Sequence, residues 1–148
     1  GLYLKKGNPK NIKEINDLVK ADINYINRQR GAGTRVLFDY LLSENGIKRS
    51  EISGYEKEEF THISAAAAVG RGSADAALGI RAAAEVMDVD FLPLAEEKYD
   101  LIFKEEILDD PRIKKLIELI NQEEIKSEIK KLGGYKCRDT GKIRILEL

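Results

Sequence analysis

The sequence predicts an α/β unit, a mostly parallel sheet flanked by helices with further helices at the C-terminus. Three observations predict it. Short apolar stretches with strand-like alternation recur between helical stripes. A helix rich in alanine runs from His62, a composition suited to close packing against a sheet. After Pro111 the pattern turns to helical apolar stripes alone. Strands alternating with helices give parallel sheets, and such sheets place ligands beyond the carboxyl ends of their strands.

Taken in order, Leu2 to Lys6 is a short strand ended by Gly7-Asn8-Pro9. Residues 11–20 put Ile12, Ile15, Leu18 and Val19 on one helical stripe, and Asp22 to Asn27 reads as a strand through Ile23, Tyr25 and Ile26. Val36, Leu37, Tyr40 and Leu41 predict a second helix, stopped by Asn45-Gly46. Residues 47–60 read as a loop with at most a short extended piece. Thr61 is the expected N-cap of the alanine-rich helix. Asp75 to Ile80 follows as a strand, and Arg81 to Met87 as a short helix. Asp90 to Leu94 and Lys98 to Phe103 are two expected strands joined by Ala95-Glu96-Glu97.

In the C-terminal third, Ile113, Leu116, Ile117 and Ile120 form one stripe, and Ile125, Ile129 and Leu132 another. The phase breaks at residues 121–124, where Asn121 and Glu124 have capping-box spacing, so two consecutive helices are expected. Gly133-Gly134 ends the second, and the tail carries a strand-like RILEL.

Composition narrows the function classes. The 148 residues suit one compact domain, and 43% hydrophobic with 34% charged residues reads as globular. Lys and Arg number 25 against 26 Asp and Glu, which argues against direct nucleic-acid contact. One cysteine, Cys137, precludes an intramolecular disulfide framework and fits a reducing, cytoplasmic setting. The apolar run from Ala65 to Val69 is too short to span a membrane. No Ser/His/Asp set and no His/Cys cluster has catalytic or metal-ligand spacing, so no catalytic residue, metal or cofactor is expected.

The stretch INRQRGAGTRVLFDYLL, residues 26–42, carries the chemistry. Glycines at 31 and 33 would let a ligand approach the backbone at a helix N-terminus, where unpaired N–H groups and the helix dipole favour an anion. Thr34 adds a hydroxyl and Arg35 a planar donor fork. The spacing fits neither the dinucleotide fingerprint nor the P-loop, because Val36 stands at the third glycine position and Gly33 where a P-loop needs lysine. On spacing alone the loop is either an anion cradle or a plain strand-to-helix turn. Thr61 and His62 open a second helix; His62, the one histidine, reads either as a neutral ligand contact or as a packing residue. Asp75 reads likewise as a site flank or an exposed carboxylate.

Four stretches taken together, YLKKGNPKNI, INRQRGAGTRVLFDYLL, THISAAAAVGRGSADAALGIRAAA and DFLPLAEEKYDLIF, with LGGY near the end, resemble a known family. It is the periplasmic-binding-protein-like domain, type 2 and similar to LysR substrate domains, found in molybdopterin biosynthesis proteins of the MoeA type. The resemblance implies two α/β lobes clamping a small ligand. Leu2 to Lys6 would be the first crossover strand and Tyr99 to Phe103 the return. Residues about 7–95 would be the second lobe, and 96–148 the return strand and C-terminal helices, with the first lobe absent from this chain. The ligand positions it implies are Gly31, Ala32, Gly33, Thr34, Arg35, Thr61, His62, Asp75 and Gly79, with Ala32 standing where the family commonly has serine. It implies non-catalytic binding of a small anion, with molybdate or tungstate as candidates, in a parent protein that is a molybdopterin molybdenumtransferase. The alternative is an effector domain of a helix-turn-helix regulator. Without a first lobe, the apolar helices at 107–132 are expected to pair with a second copy.

Overall fold

The computed structural model describes residues 1–145, which fall into two units, Gly1–Ala95 and Glu96–Leu148. The first unit is built on five short strands: β1 (Leu2–Leu4), β2 (Asn27–Arg28), β3 (Glu58–Glu59), β4 (Ala76–Leu78) and β5 (Asp90–Leu92). Its helices are α1 (Gly33–Glu44), α2 (His62–Gly70) and α3 (Arg81–Val86).

The sheet is only partly parallel. β2 pairs parallel with β3, Arg28 opposite Glu59, and Tyr25 bridges parallel to Ala76 just ahead of β2. β1, however, lies between β4 and β5 and runs antiparallel to both, with Tyr3 opposite Ala77 and Phe91. The expected mostly parallel sheet is corrected to this mixed arrangement. β4 and β5, joined through α3, run parallel to each other on either side of β1, and β1 runs against both. The link from β1 to β2 supplies only a 3₁₀ turn, Ile15–Val19. Side chains there take the backbone groups that an α-helix over 11–20 would use. Asn8 clasps both the N–H and the carbonyl of Ile12, at 3.0 and 2.9 Å, and Asp17 accepts from the N–H groups of Lys13 and Glu14. Ile12, Ile15 and Leu18 are nonetheless buried, while Val19 is exposed.

Alternation along β1 and β4 divides the core between two faces. Leu2, Leu4, Ala76 and Leu78 face the cluster containing Tyr25, Phe38 and Leu42. Tyr3 and Ala77 face the alanines of α2 and α3, among them Ala65, Ala66, Ala83 and Ala84. In α1 the buried line is Arg35, Phe38 and Leu42, with Phe38 stacked on Tyr25 at 4.2 Å between ring centroids. Val36 and Tyr40, placed on the inner stripe by the sequence, are 64% and 57% exposed. A buried arginine on the inward face hides the helix's true phase.

The second unit contains a 3₁₀ turn, Glu105–Ile107, and two helices, α4 (Pro111–Asn121) and α5 (Glu123–Lys131). The strand expected at Lys98–Phe103 is absent: these residues have no regular structure, and no strand lies within the described part of this unit to pair with them. Asp110 caps α4 by accepting from the N–H of Arg112 at 2.8 Å, with Pro111 in the first turn. The two helices meet at Gln122, which caps both. The expected Asn121–Glu124 capping box does not form, since Asn121 Nδ2 donates back to the carbonyl of Ile117. Arg144 and Ile145 are irregular, and the rest of the strand-like RILEL lies outside the described residues. No described helix is long and apolar enough to cross a membrane.

Candidate functional site

β2 and β3 run side by side and end at the same edge, β2 leading into α1 and β3 into α2. After Arg28 the chain turns through residues 29–32. Ala32 N–H bonds to the Gln29 carbonyl at 3.1 Å, and Gly31 adopts φ +86°, a conformation that favours glycine. Ala32 is the N-cap of α1 and supplies no side-chain cap, so the N–H groups of Gly33 and Thr34 open from the helix's positive end. A Cβ at Gly31 or Gly33 would meet nothing within 4 Å. The glycine loop is therefore open to approach.

At the neighbouring helix Thr61 is the N-cap, as expected. Its Oγ1 accepts from the N–H of Ser64 at 2.9 Å, and Ser64 Oγ accepts in return from the N–H of Thr61. Between the two helix entrances lies Arg28, a residue the sequence did not single out. It is only 8% exposed. Its Nε donates to the Glu59 carbonyl and to Gln29 Oε1, each at 3.2 Å, and its Nη2 to the Phe60 carbonyl at 3.0 Å. These bonds hold the guanidinium against the loop leading into α2. Nη1 is buried with no partner, and Arg28 forms no ion pair among the described residues.

His62 opens α2, and its Nδ1 is also buried without a partner. Burial first, and then the charge of Arg28, push the imidazole pKa down to about 4. At neutral pH the ring is uncharged.

The other two arginines of the stretch are neutralised. Arg35 Nη1 donates to Glu58 Oε1 and, at 3.3 Å, to the Arg28 carbonyl, while Nη2 lies 3.7 Å from Glu56. The guanidinium also stacks over Tyr55, 4.9 Å from the ring centroid. Burial alone would lower its pKa, but hydrogen bonding with Tyr55 and Glu58 outweighs that and raises it. Arg30 is exposed and pairs with Glu56 at 3.2 Å. Positive charge without a carboxylate partner is thus left at Arg28.

Of the residues implied by resemblance, the structure gathers Gly31, Ala32, Gly33 and Thr34 with Thr61 and His62 at one edge. Arg35 lies beneath, bound to Glu58. Asp75 stands at the opposite end of β4, where its carboxylate accepts from the N–H of Asn24 at 2.8 Å. Gly79 is buried, and a Cβ there would fall 2.0 Å from Tyr3 Oη, so it serves the close passage of Tyr3. What sequence reasoning missed is Arg28: three arginines lie within eight residues, and only pairing distinguishes them. Among the described residues, no group of three or more His, Cys, Asp or Glu is placed to hold a metal. Cys137 is half-buried and directs Sγ at the Lys126 carbonyl, 3.7 Å away. A broad surface concavity of about 690 Å³ is lined by Arg49, Ile52, Tyr55, Glu56 and Lys57 among others, beside the Arg35–Glu56 pair.

Residues 1–121 match the PBP superfamily domain. The chain belongs to the PBP superfamily. The periplasmic-binding-protein-like part of the resemblance accordingly holds, and the match covers most of the chain. The uncharacterized protein YvgK of Bacillus subtilis (strain 168) is 42% identical over 147 residues, 99% of this chain and 47% of that protein. The chain therefore spans about half the length of that relative. An uncharacterized protein in the 5′ region of the ferredoxin 2Fe-2S gene of Clostridium pasteurianum is 39% identical over 109 residues, 73% of this chain and 96% of that protein. No solved structure gives a significant match.

Proposed function

We propose that this PBP-superfamily chain is a non-catalytic binding domain for a small anion, held where β2 and β3 hand over to α1 and α2. The observation that carries the reading is the buried Arg28 Nη1, which among the described residues has no hydrogen-bond partner and no carboxylate in an ion pair with it. An unsatisfied buried N–H on a cation is costly, and an anionic oxygen arriving there would remove that cost. The N–H groups opening α1 would add donors beside it. The placement of this domain in a molybdopterin biosynthesis protein of the MoeA type, with molybdate or tungstate as ligand, rests on the motif resemblance alone.

Calorimetric titration at low salt with phosphate, sulfate, molybdate and tungstate tests the proposal. Saturable binding of at least one anion is expected. Arg28→Met should weaken it about tenfold to a hundredfold, the loss of one charged hydrogen bond of about 1.5–3 kcal/mol. Unchanged affinity in a folded Arg28→Met would leave Arg28 as a clamp on the Glu59 and Phe60 carbonyls and nothing more.

A further inference from the structure

We infer that the second unit carries a binding site of its own, a basic concavity beside Lys98 that takes a linear di- or triphosphate. The site lies wholly within that unit and does not depend on the reading given to the helix entrances of the first. The concavity measures about 440 Å³ and is lined by Lys98, Asp139, Lys142, Ile143 and Arg144. Small-ligand pockets run from about 300 to 1,000 Å³. Between residues 130 and 144 every charged side chain except Asp139 is a lysine or an arginine, a local excess that the balanced charge of the whole chain averages away.

Three cations therefore share one carboxylate. Lys142 Nζ pairs with Asp139 at 2.5 Å, whereas Lys98 and Arg144 form no ion pair among the described residues. The hydrogen bond from Lys142, with the charges of Lys98 and Arg144 added to it, holds the Asp139 carboxyl below its usual range. Other residues fix the walls. The Lys142 N–H closes a turn on the Asp139 carbonyl at 3.1 Å. Gly141 in that turn has φ +84° and lies against α4, where a Cβ would fall 2.1 Å from Asn121 Oδ1. Lys136 pairs with Glu96, two residues ahead of Lys98. The turn and the Lys98 segment are thus tied in place by groups other than Lys98 and Arg144, which stay available to a ligand.

Those two side chains set its class. A guanidinium fork matches two oxygens of one phosphate, and an ammonium serves a neighbouring phosphate as a point charge. An orthophosphate seated on the Arg144 fork leaves Lys98 without a partner. A di- or triphosphate carries charge on linked groups and answers both. The lining cations are exposed, so this binding weakens as salt rises.

Calorimetric titration of the intact chain at low salt with tripolyphosphate, pyrophosphate, orthophosphate and citrate tests the inference. Tripolyphosphate and pyrophosphate should each bind at least about tenfold tighter than orthophosphate or citrate, the factor for one added charged contact. Lys98→Gln with Arg144→Gln should weaken tripolyphosphate at least about tenfold. Both side chains are exposed, so the variant keeps the fold. Arg28→Met should leave tripolyphosphate affinity within about twofold, since it touches the first unit alone. Tripolyphosphate bound no tighter than citrate or orthophosphate overturns the inference. So does affinity that survives the double substitution but falls in Arg28→Met, which would return the ligand to the helix entrances and leave that reading standing. A short single-stranded oligonucleotide bound tighter than tripolyphosphate overturns it too, in favour of an extended nucleic-acid face. Failure of the entrance reading shows separately, as orthoanion binding indifferent to Arg28→Met.

Discussion

Arg35 Nη1 donates to Glu58 Oε1 across the junction of α1 and β3, with the arginine side chain only 7% exposed and the glutamate side chain 27%. This pair, with Tyr55 beneath the guanidinium, ties the first turn of α1 to the strand that leads into α2. Breaking one side of a largely buried pair leaves a charge short of its main partner, here with only Glu56 at 3.7 Å beside Arg35, whereas removing both avoids that penalty. Glu58→Gln should therefore lower stability by about 2–3 kcal/mol, and Arg35→Met by a similar amount. The double variant should cost clearly less than the sum of the two. Denaturant midpoints of the four proteins measure it; strict additivity would mean the pair is not coupled.

That result bears on how far the site was legible. The glycine loop, the Thr61 cap and the helices α1, α2 and α3 follow from local chemistry that any reader of the chain can apply. The roles of the arginines do not. Which of Arg28, Arg30 and Arg35 stays unpaired depends on Glu56 and Glu58, more than twenty residues away, reaching them through the β2–β3 register. Likewise the 3₁₀ turn at Ile15–Val19 was hidden, because Asn8 and Asp17 divert that segment from a helix by side-chain bonds that periodicity does not register.

Glycines 79 and 33 should respond oppositely to alanine. At Gly79 the new methyl would lie 2.0 Å from Tyr3 Oη and 2.3 Å from its Cζ, and the phenol is fixed by its bond to the Ile80 carbonyl at 3.1 Å. Overpacking of this kind costs about 1–3 kcal/mol. At Gly33 nothing lies within 4 Å and the residue is already helical, so alanine should be neutral or stabilise by up to about 1 kcal/mol. Thermal melts separate the two. Gly33→Ala should still weaken phosphate binding if the anion approaches the backbone there.

Within residues 96–145 no side chain is fully buried, and the stripe residues Ile113, Leu116, Ile117 and Ile120 of α4 and Ile125 and Ile129 of α5 are only half-buried. Apolar faces of this kind associate. Light scattering at roughly tens of micromolar should return a mass above the monomer's 16.6 kDa. Ile117→Glu with Ile129→Glu should bring it down to the monomer. A monomeric parent chain at that concentration would defeat the expectation.

His62 should make stability fall with acid in a window of its own. Its folded pKa is about 4 against an ordinary value of 6.5, so below pH 6.5 the unfolded chain takes up a proton that the folded chain refuses. The stabilisation is complete above 6.5, declines as the pH falls towards 4, and changes no further below that. Since the ring is only partly buried, solvent screening leaves about 1–2 kcal/mol. Urea midpoints of the parent chain and His62→Asn at pH 7 and 4.5 isolate this contribution, because the carboxylates titrate alike in both. The stability difference should move towards the variant by that amount on acidification. A pH-independent difference would mean that His62 titrates as an ordinary solvated imidazole, and that neither Arg28 nor the helix terminus acts on it.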